Sequence, residues 1–380
     1  MSATDPLDSF RAALLADAAL QRELDAAEDF ASAAVARARA HGIALAPEML
    51  APLLRDDPLG LARFLPAPLT GPPLPGWLPV AVAQGPCLDW AYFGDRRLRR
   101  PFFDGEVRAA LARPLNRVAR YRTVLDDLPR SVAGLPEREP AGFIFHMSRC
   151  GSTLVSQMLA ADPGMVVLSE PDPLDVLLRI THPARPGDEV PVLYLRAMMR
   201  ALCHARGDGA RRVFVKFNCW HALALPLIRR AFPRVPWVFL SREPAAVLAS
   251  QLHMRGIETL PESIPPAVFG LAGADMPPQA YCAQVLARIC GAALEAPPEG
   301  GLFVDYSELP GAVTTRILPH FGIAAFDAAA LDAAARFDAK VPSRAFTGDA
   351  PEKQRLQTAD LRSLAAQILG SAHTRLLARR

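Results

Sequence analysis

From residue 141 onward, short apolar runs alternate with longer stretches of helical pattern. The runs occupy residues 142–146, 165–168, 213–217, 236–240 and 301–304. Strands that alternate with helices require crossover connections, and these connections produce a parallel sheet with helices on both faces. We therefore predict that residues 141–380 form an α/β domain built on a central parallel sheet.

Composition limits the classes of protein that remain. Half of the 380 residues are hydrophobic (51%), which predicts a packed, globular chain, and the 42 Lys+Arg nearly balance the 39 Asp+Glu. A net charge of +3 is too even for a protein whose main task is to neutralise a nucleic-acid backbone. We expect no nucleic-acid partner, and we expect any bound anion to be held by a local cluster of residues.

Targeting and metal signals are absent from the sequence. The N-terminus lacks the basic and apolar regions of a secretory signal, and no run approaches the ~18 apolar residues of a membrane span. The six cysteines contain no C-x-x-C pair, and the eight histidines contain no H-E-x-x-H motif. These features predict a cytoplasmic protein without a membrane span, a bound metal or disulfide bonds.

Residues 1–57 have the pattern of a small helical domain. The stretch resembles the leader-like helical domain of some ribosomally made peptide natural products, first named from nitrogen-fixation gene clusters. The matching features are Phe10, the segment Asp17–Gln21, the segment His41–Ile43, and the pair Pro47-Glu48. The alternative is a helical cap that packs on the main domain.

Residues 58–140 carry no chemical motif. Seven prolines between Pro58 and Pro79 favour an extended linker at 58–79 over regular structure. Residues 80–140 combine an aromatic cluster with an arginine-rich helical run. This composition predicts an accessory segment that adds to the core.

The first chemical signal lies at the end of the run 142–146. Residues 147–151 form a glycine-containing turn, and a helix is predicted to open at Ser152. Such a turn directs backbone N–H groups and the positive end of the helix dipole at one point, where an anion is stabilised. The Walker pattern G-x-x-x-x-G-K-[ST] and the three-glycine dinucleotide fingerprint are both missing. An unrelated anion loop remains an alternative.

At these residues the chain resembles the sulfotransferases that use 3′-phosphoadenosine 5′-phosphosulfate (PAPS). In that family a turn of the form cation-x-Gly-[Ser/Thr]-Thr holds the 5′-phosphosulfate. The matching residues here are Arg149, Cys150, Gly151, Ser152 and Thr153, with Cys150 in place of the more usual serine. The resemblance implies a P-loop-type sheet, PAPS as co-substrate, no metal, and transfer of a sulfuryl group to a hydroxyl or amine of a small molecule or peptide.

A second motif follows at the expected distance. Arg242 lies just after the run 236–240, and Ser250 lies eight residues later on a predicted helix. In the family an arginine and a serine at this interval bind the 3′-phosphate of the nucleotide. The alternative for Arg242 is a surface ion pair with Glu243 or another acid. A third resemblance, from Phe303 to Ile323, concerns packing, so the likeness extends over residues 141–323.

Sulfuryl transfer requires in-line positioning, cations near the developing charge and a base for the acceptor proton. The resemblance implies that Arg149 and Lys216 supply the cations. Two residues are candidates for the base. The interval from Arg149 to Glu170 is similar to the one at which protein-tyrosine sulfotransferases place their glutamate base. His221 follows Lys216 as a histidine follows the corresponding lysine in the cytosolic small-molecule enzymes. The spacing favours Glu170, because the family histidine follows its lysine more closely.

A basic loop near the C-terminus is a further candidate for nucleotide binding. Arg344, with Lys340, lies in a late basic loop that resembles the family loop covering the nucleotide, although a solvated loop is the simpler interpretation.

Two rival functions also remain open. One is a divergent P-loop kinase or nucleoside triphosphatase, and the other is a non-catalytic peptide-binding protein with a vestigial nucleotide site.

Overall fold

A computed structural model describes residues 5–55, 66–83, 85–181, 185, 187–272, 276–338, 340–345 and 357–380, and for 341–345 it describes the backbone alone. The chain divides into two compact units. The first comprises Met1–Arg97, Phe103–Arg138 and Ala197–Gly209, and the second comprises Leu98–Phe102, Glu139–Arg196 and Ala210–Arg380.

The first unit begins with four helices: α1 (Pro6–Ala16), α2 (Ala18–Ala26), α3 (Phe30–Ala40) and α4 (Pro47–Leu54). Aspartates cap the first three, since Asp5, Asp17 and Asp29 accept hydrogen bonds from backbone N–H groups of the first turns. Each cap satisfies donors that the helix itself cannot use. A cap of this kind explains why helices begin again so soon after one another.

A four-stranded sheet completes the first unit. Its strands are β1 (Ala67–Pro68), β2 (Trp77–Ala83), β3 (Cys87–Tyr92) and β4 (Tyr121–Val124), in the order β1-β4-β3-β2. The indole N–H of Trp77 donates to the side chain of Gln21 over 3.0 Å, so helix α2 packs on this sheet. Three short helices accompany it: α5 (Phe103–Leu111), α6 (Pro114–Val118) and α7 (Leu128–Ser131).

Strands therefore occur within the proline-rich stretch 58–79. Proline has an extended backbone but no N–H to donate, so strands tolerate it at edges and irregular points. β1 is a two-residue edge strand, and the pairing of β2 with β3 shifts register between Pro79 and Ala81. The proline density did not indicate that residues of this stretch pair in a sheet.

The second unit contains a five-stranded sheet in which every pairing is parallel. Its strands are β5 (Gly142–His146), β6 (Met165–Ser169), β7 (Arg212–Lys216), β8 (Trp237–Ser241) and β9 (Gly301–Asp305), in the order β6-β7-β5-β8-β9. All residues of β5, β6 and β8 are buried, as expected for strands covered on both faces. The predicted α/β class with a central parallel sheet is confirmed.

The remaining elements belong to the second unit, except that the end of the helix Val190–Cys203, from Ala197 onward, belongs to the first. They are α8 (Ser152–Ala161), α9 (Asp172–Thr181), α10 (Val190–Cys203), α11 (Leu225–Ala231), α12 (Pro244–His253), α13 (Pro278–Glu295), α14 (Leu318–His320), α15 (Ala328–Ala335), β10 (Phe337–Asp338), β11 (Val341–Ala345) and α16 (Ala359–Leu377). Among the described residues, no helix has both the length and the apolar character needed to cross a bilayer.

Strand order positions the site. From β5 the chain runs through α8 to β6 on one side of the sheet, whereas from β8 it runs through α12 and α13 to β9 on the other side. Connections that leave neighbouring strands in opposite directions open a crevice at their carboxyl ends, and ligands of open α/β sheets bind in such crevices. The predicted anion turn follows β5, and Arg242 follows β8.

Candidate active site

The turn after β5 has an unusual backbone. Ser148, Arg149 and Gly151 all have positive φ angles, of 77°, 51° and 83°, and Gly151 is the N-cap of α8. Successive residues in such conformations point their N–H groups into one concavity, and the first turn of α8 adds further free N–H groups. The turn thus has the form of an anion cradle.

Only glycine fits at position 151. A Cβ there would lie 2.7 Å from Cδ1 of Leu309 and 2.9 Å from Cδ2 of Tyr306. The positive φ adds a backbone cost for any residue with a side chain. Glycine is therefore required at position 151 for two physical reasons. The turn needs a positive φ there, and the segment after β9 packs directly against the position.

Cys150 attaches the turn to the neighbouring strand. It is fully buried, and its thiol donates to the backbone carbonyl of Leu240 at 3.2 Å. Burial raises the pKa of Cys150 to about 12, so the group stays a protonated thiol at neutral pH. A small buried hydrogen-bond donor thus connects the turn to β8.

Arg242 lies directly beside the turn. Its guanidinium donates to the backbone carbonyl of Arg149 at 3.3 Å and lies 4.2 Å from the ring centroid of Tyr306. The carboxylate of Glu243 caps α12 instead, accepting the N–H groups of Ala245 and Ala246 at 2.9 and 2.7 Å. Glu243 is therefore engaged by the helix and is not the ion-pair partner of Arg242. Ser250 is buried on α12.

Lys216 and Glu170 form an ion pair at the ends of β7 and β6. The ammonium is buried, 3.4 Å from the hydroxyl of Ser169 and 4.8 Å from the ring centroid of Phe102. The Glu170 side chain is 22% exposed and that of Lys216 only 1%. Burial alone would raise the pKa of Glu170, but Lys216 and His146 outweigh it and hold that pKa at about 2.

The backbone of Glu170 is also strained. Its φ is 56°, a conformation that costs a residue with a side chain about 1 kcal/mol or more. Its N–H donates to the carbonyl of Lys216 at 2.8 Å, which continues the β6–β7 pairing by one residue and holds this conformation. Strain of this kind concentrates at functional sites, and here it directs a carboxylate at the carboxyl edge of the sheet.

A family model described as the sulfotransferase family matches residues 140–328, about half of the chain. These residues belong to the sulfotransferase family. The match begins just before β5 and covers the anion turn, Glu170, Lys216, Arg242 and Ser250.

Solved sulfotransferase structures also resemble the chain. The sulfotransferase domain from the curacin biosynthetic pathway is 20% identical, with 64% of this chain and 98% of that chain covered and a TM-score of 0.38. The sulfotransferase domain from the Synechococcus PCC 7002 olefin synthase is 17% identical, with coverages of 64% and 96% and a TM-score of 0.38. A sulfotransferase from Alicyclobacillus acidocaldarius is 18% identical, with coverages of 62% and 97% and a TM-score of 0.37. No curated protein sequence matches the chain significantly.

His221, the second base candidate in the sulfotransferase domain, lies in a different cluster. Its side chain is completely buried, and Nε2 lies 2.9 Å from Oδ1 of Asp175. Asn218 and Trp220 donate to the same oxygen, both at 2.8 Å. Burial lowers the pKa of His221. The structure brings Glu170 and Lys216 together and leaves His221 enclosed beside Asp175.

Arg149 does not join the cluster of Lys216 and Glu170. The Arg149 guanidinium donates to the backbone carbonyl of Met254, at the partly exposed mouth of the turn. Arg344 lies on strand β11, and its side chain is outside the part of the chain that the structure describes. Among the described residues, no group of His, Cys, Asp and Glu side chains is arranged to hold a metal ion.

Three buried polar residues near the turn were missed by the sequence interpretation. Gln251 donates to the hydroxyl of Ser148 at 2.9 Å and to the carboxylate of Glu258 at 2.7 Å. His146 accepts a hydrogen bond from the backbone N–H of Ser148 at 3.1 Å. A histidine that ends an otherwise apolar strand just before an anion turn was the signal that could have revealed His146.

Proposed function

We propose that the chain is a PAPS-dependent sulfotransferase that transfers a sulfuryl group to a hydroxyl or amine of a small molecule or peptide. The observation that carries the proposal is the 3.3 Å hydrogen bond from Arg242 to the carbonyl of Arg149. It joins two anion-binding elements at one crevice. PAPS has anionic groups on both sides of its ribose and suits such a pair of elements.

We assign PAPS, the sulfuryl donor, to the anion turn and to the element that carries Arg242 and Ser250. The N–H groups of the anion turn, with Ser152 and Thr153, bind the 5′-phosphosulfate. Arg242 and Ser250 bind the 3′-phosphate, and Arg149 lies near the oxygen that bridges sulfur and phosphorus. The positive backbone angles at Ser148, Arg149 and Gly151 support this assignment, because they form the concavity before any ligand arrives.

The reaction moves one proton and exchanges one bond at sulfur. The acceptor oxygen or nitrogen attacks the sulfur, the bond from sulfur to the bridging oxygen breaks, and adenosine 3′,5′-bisphosphate leaves. The acceptor proton passes to Glu170. Because a sulfuryl group carries less charge than a terminal phosphoryl group, the side-chain cations Arg149 and Lys216 suffice for the charge that builds up.

Glu170 is the better base because it is accessible. Its side chain is 22% exposed, whereas His221 is completely enclosed. Lys216 keeps the carboxylate ionised and therefore able to accept a proton. A carboxylate with so low a pKa is a weak base, so we propose that it takes the proton as the new bond to sulfur forms, when the acceptor has become acidic.

Calorimetry on the full chain tests the proposal. We expect adenosine 3′,5′-bisphosphate to bind about 100-fold more tightly than adenosine 5′-monophosphate, because the second phosphate adds charge-assisted hydrogen bonds of about 3 kcal/mol. A transfer assay with sulfur-labelled PAPS and a panel of phenols, amines and peptides then identifies the acceptor. Equal affinity for the two nucleotides, or tight binding of ATP that depends on magnesium, would overturn the proposal in favour of a nucleoside triphosphatase.

A further inference from the structure

His146 is the last residue of β5, and its two ring nitrogens face different parts of the site. The backbone N–H of Ser148 donates to Nδ1 at 3.1 Å. Nε2 lies 3.0 Å from the carbonyl oxygen of Phe217 and 3.7 Å from Oε1 of Glu170. With a side chain only 7% exposed, the ring lies between the anion turn and the proposed base.

These contacts determine the tautomer. A backbone N–H can only donate, so Nδ1 must be unprotonated, and a carbonyl oxygen can only accept, so Nε2 must carry the hydrogen. The neutral ring with hydrogen on Nε2 satisfies both contacts. Burial lowers the pKa of His146, which supports the neutral form. The charged groups around it are Glu170, Lys216 and Glu258.

On the side of the anion turn, the His146 ring contacts Ser148, the first residue of the turn with a positive φ. Ser148 has a φ of 77°, which costs about 1–2 kcal/mol for a residue with a side chain. The bond to Nδ1 fixes the N–H of Ser148, and Gln251 fixes its hydroxyl at 2.9 Å. The conformation of the anion turn therefore depends on an acceptor at the position of Nδ1.

On the base side, Glu170 is approached through one oxygen. Lys216 pairs with Oε1, and the Nε2–H of His146 lies near the same atom. Among the described residues, none donates a hydrogen bond to Oε2. The carboxylate is thus held by one oxygen and leaves the other for an acceptor.

We propose that His146 is a positioning residue that connects the anion turn to Glu170, so that donor binding and base orientation depend on the same ring. This inference rests on the proposed function. It adds that Nδ1 of His146 maintains the affinity for PAPS and that its Nε2–H maintains the rate of sulfuryl transfer.

Two substitutions separate the two nitrogens. His146→Asn places an amide oxygen near the position of Nδ1 and removes the donor at Nε2, whereas His146→Gln places an amide N–H near the position of Nε2 and removes the acceptor. For His146→Asn we expect the Kd of adenosine 3′,5′-bisphosphate to stay within about threefold and kcat to fall about tenfold or more. For His146→Gln we expect the Kd to weaken about tenfold and kcat at saturating PAPS to stay within about threefold.

His204→Gln is the matched control, because His204 is another buried histidine, and its ring contacts only a backbone carbonyl near its own helix, that of Ala201 at 2.8 Å. It should lower the melting temperature and leave Kd and kcat unchanged. If both His146 variants change Kd and kcat together, or if they change only the melting temperature, the coupling is wrong. If the wild-type chain binds no bisphosphate and transfers no sulfuryl group, the proposed function fails and the inference fails with it.

A measurement on the wild-type chain avoids the risk that a variant does not fold. Histidine labelled with ¹⁵N reports hydrogen bonding at each ring nitrogen. We expect the Nδ1 signal of His146 to shift when adenosine 3′,5′-bisphosphate binds, while that of His204 does not. An unchanged Nδ1 signal at saturating bisphosphate would overturn the link between the ring and the turn.

Discussion

The guanidinium of Arg242 donates a hydrogen bond to the backbone carbonyl of Arg149 across 3.3 Å. These residues follow β8 and β5, which are neighbours in the sheet although 93 positions separate Arg242 from Arg149 in the chain. The bond connects the two proposed anion-binding elements. Affinity for a doubly phosphorylated nucleotide should therefore depend strongly on Arg242.

Substitution of Arg242 should abolish recognition of the 3′-phosphate. We expect Arg242→Ala to weaken binding of adenosine 3′,5′-bisphosphate about 100-fold, since charge-assisted bonds to one phosphate are lost, and to change binding of adenosine 5′-monophosphate little. Arg234→Ala is the control, because the Arg234 side chain is 85% exposed. Unchanged bisphosphate affinity in Arg242→Ala would remove the assignment of the 3′-phosphate site.

A methyl group at position 151 should close the anion cradle. Gly151→Ala brings Cβ within 2.7 Å of Leu309 and requires a φ of 83°, so we expect a loss of about 2 kcal/mol in stability and no measurable bisphosphate binding. Gly291→Ala has open space and lies within helix α13, where alanine should stabilise by about 1 kcal/mol. Urea unfolding and calorimetry measure both effects, and normal nucleotide affinity in Gly151→Ala would contradict the cradle.

Removal of the charge at Glu170 should affect the rate and spare donor binding. We expect Glu170→Gln to lower kcat about 10²–10⁴-fold with bisphosphate affinity within about threefold, because a base acts in the chemical step. Glu189→Gln removes an acid whose side chain is 79% exposed and should leave kcat unchanged. Full activity in Glu170→Gln would exclude this residue as the base.

The Asp175 cluster should contribute to stability and not to catalysis. Its carboxylate accepts from His221 at 2.9 Å and from Nε of Arg179 at 2.6 Å. We expect Asp175→Ala to lower the free energy of unfolding by about 3 kcal/mol, because buried donors lose their acceptor. Asp172→Asn, at an exposed position on the same helix, should change it by less than about 0.5 kcal/mol.

The Asp175 cluster should also make the free energy of unfolding depend on pH in acid. Burial would raise the pKa of Asp175, but His221 and Arg179 outweigh it and hold that pKa below its ordinary value of 3.8. A lowered folded-state pKa gives stability that is complete above the unfolded-state pKa and is lost as pH falls through the folded-state value. Wild type should therefore lose stability below about pH 4 more steeply than Asp175→Ala. Parallel curves of unfolding free energy against pH would contradict this role.

Local patterns predicted most of the sheet. The apolar run 165–168 became strand Met165–Ser169, and the run 213–217 became Arg212–Lys216, one residue earlier. Such agreement is possible because the strands are buried on both faces and their sequences show it directly. The proline-rich stretch was the exception, since proline removes a donor but does not prevent pairing at an edge or an irregularity.

The sequence by itself determined the strand–turn–helix of the anion turn, the glycine within it, and the order of the motifs, because these depend on neighbouring residues. Only the tertiary structure decided which side chains meet. Lys216 pairs with Glu170 although 46 positions separate them, His146 lies between that pair and the turn, and His221 turns to Asp175 instead. These contacts follow from the order of strands across the sheet, which brings together residues that no local pattern connects.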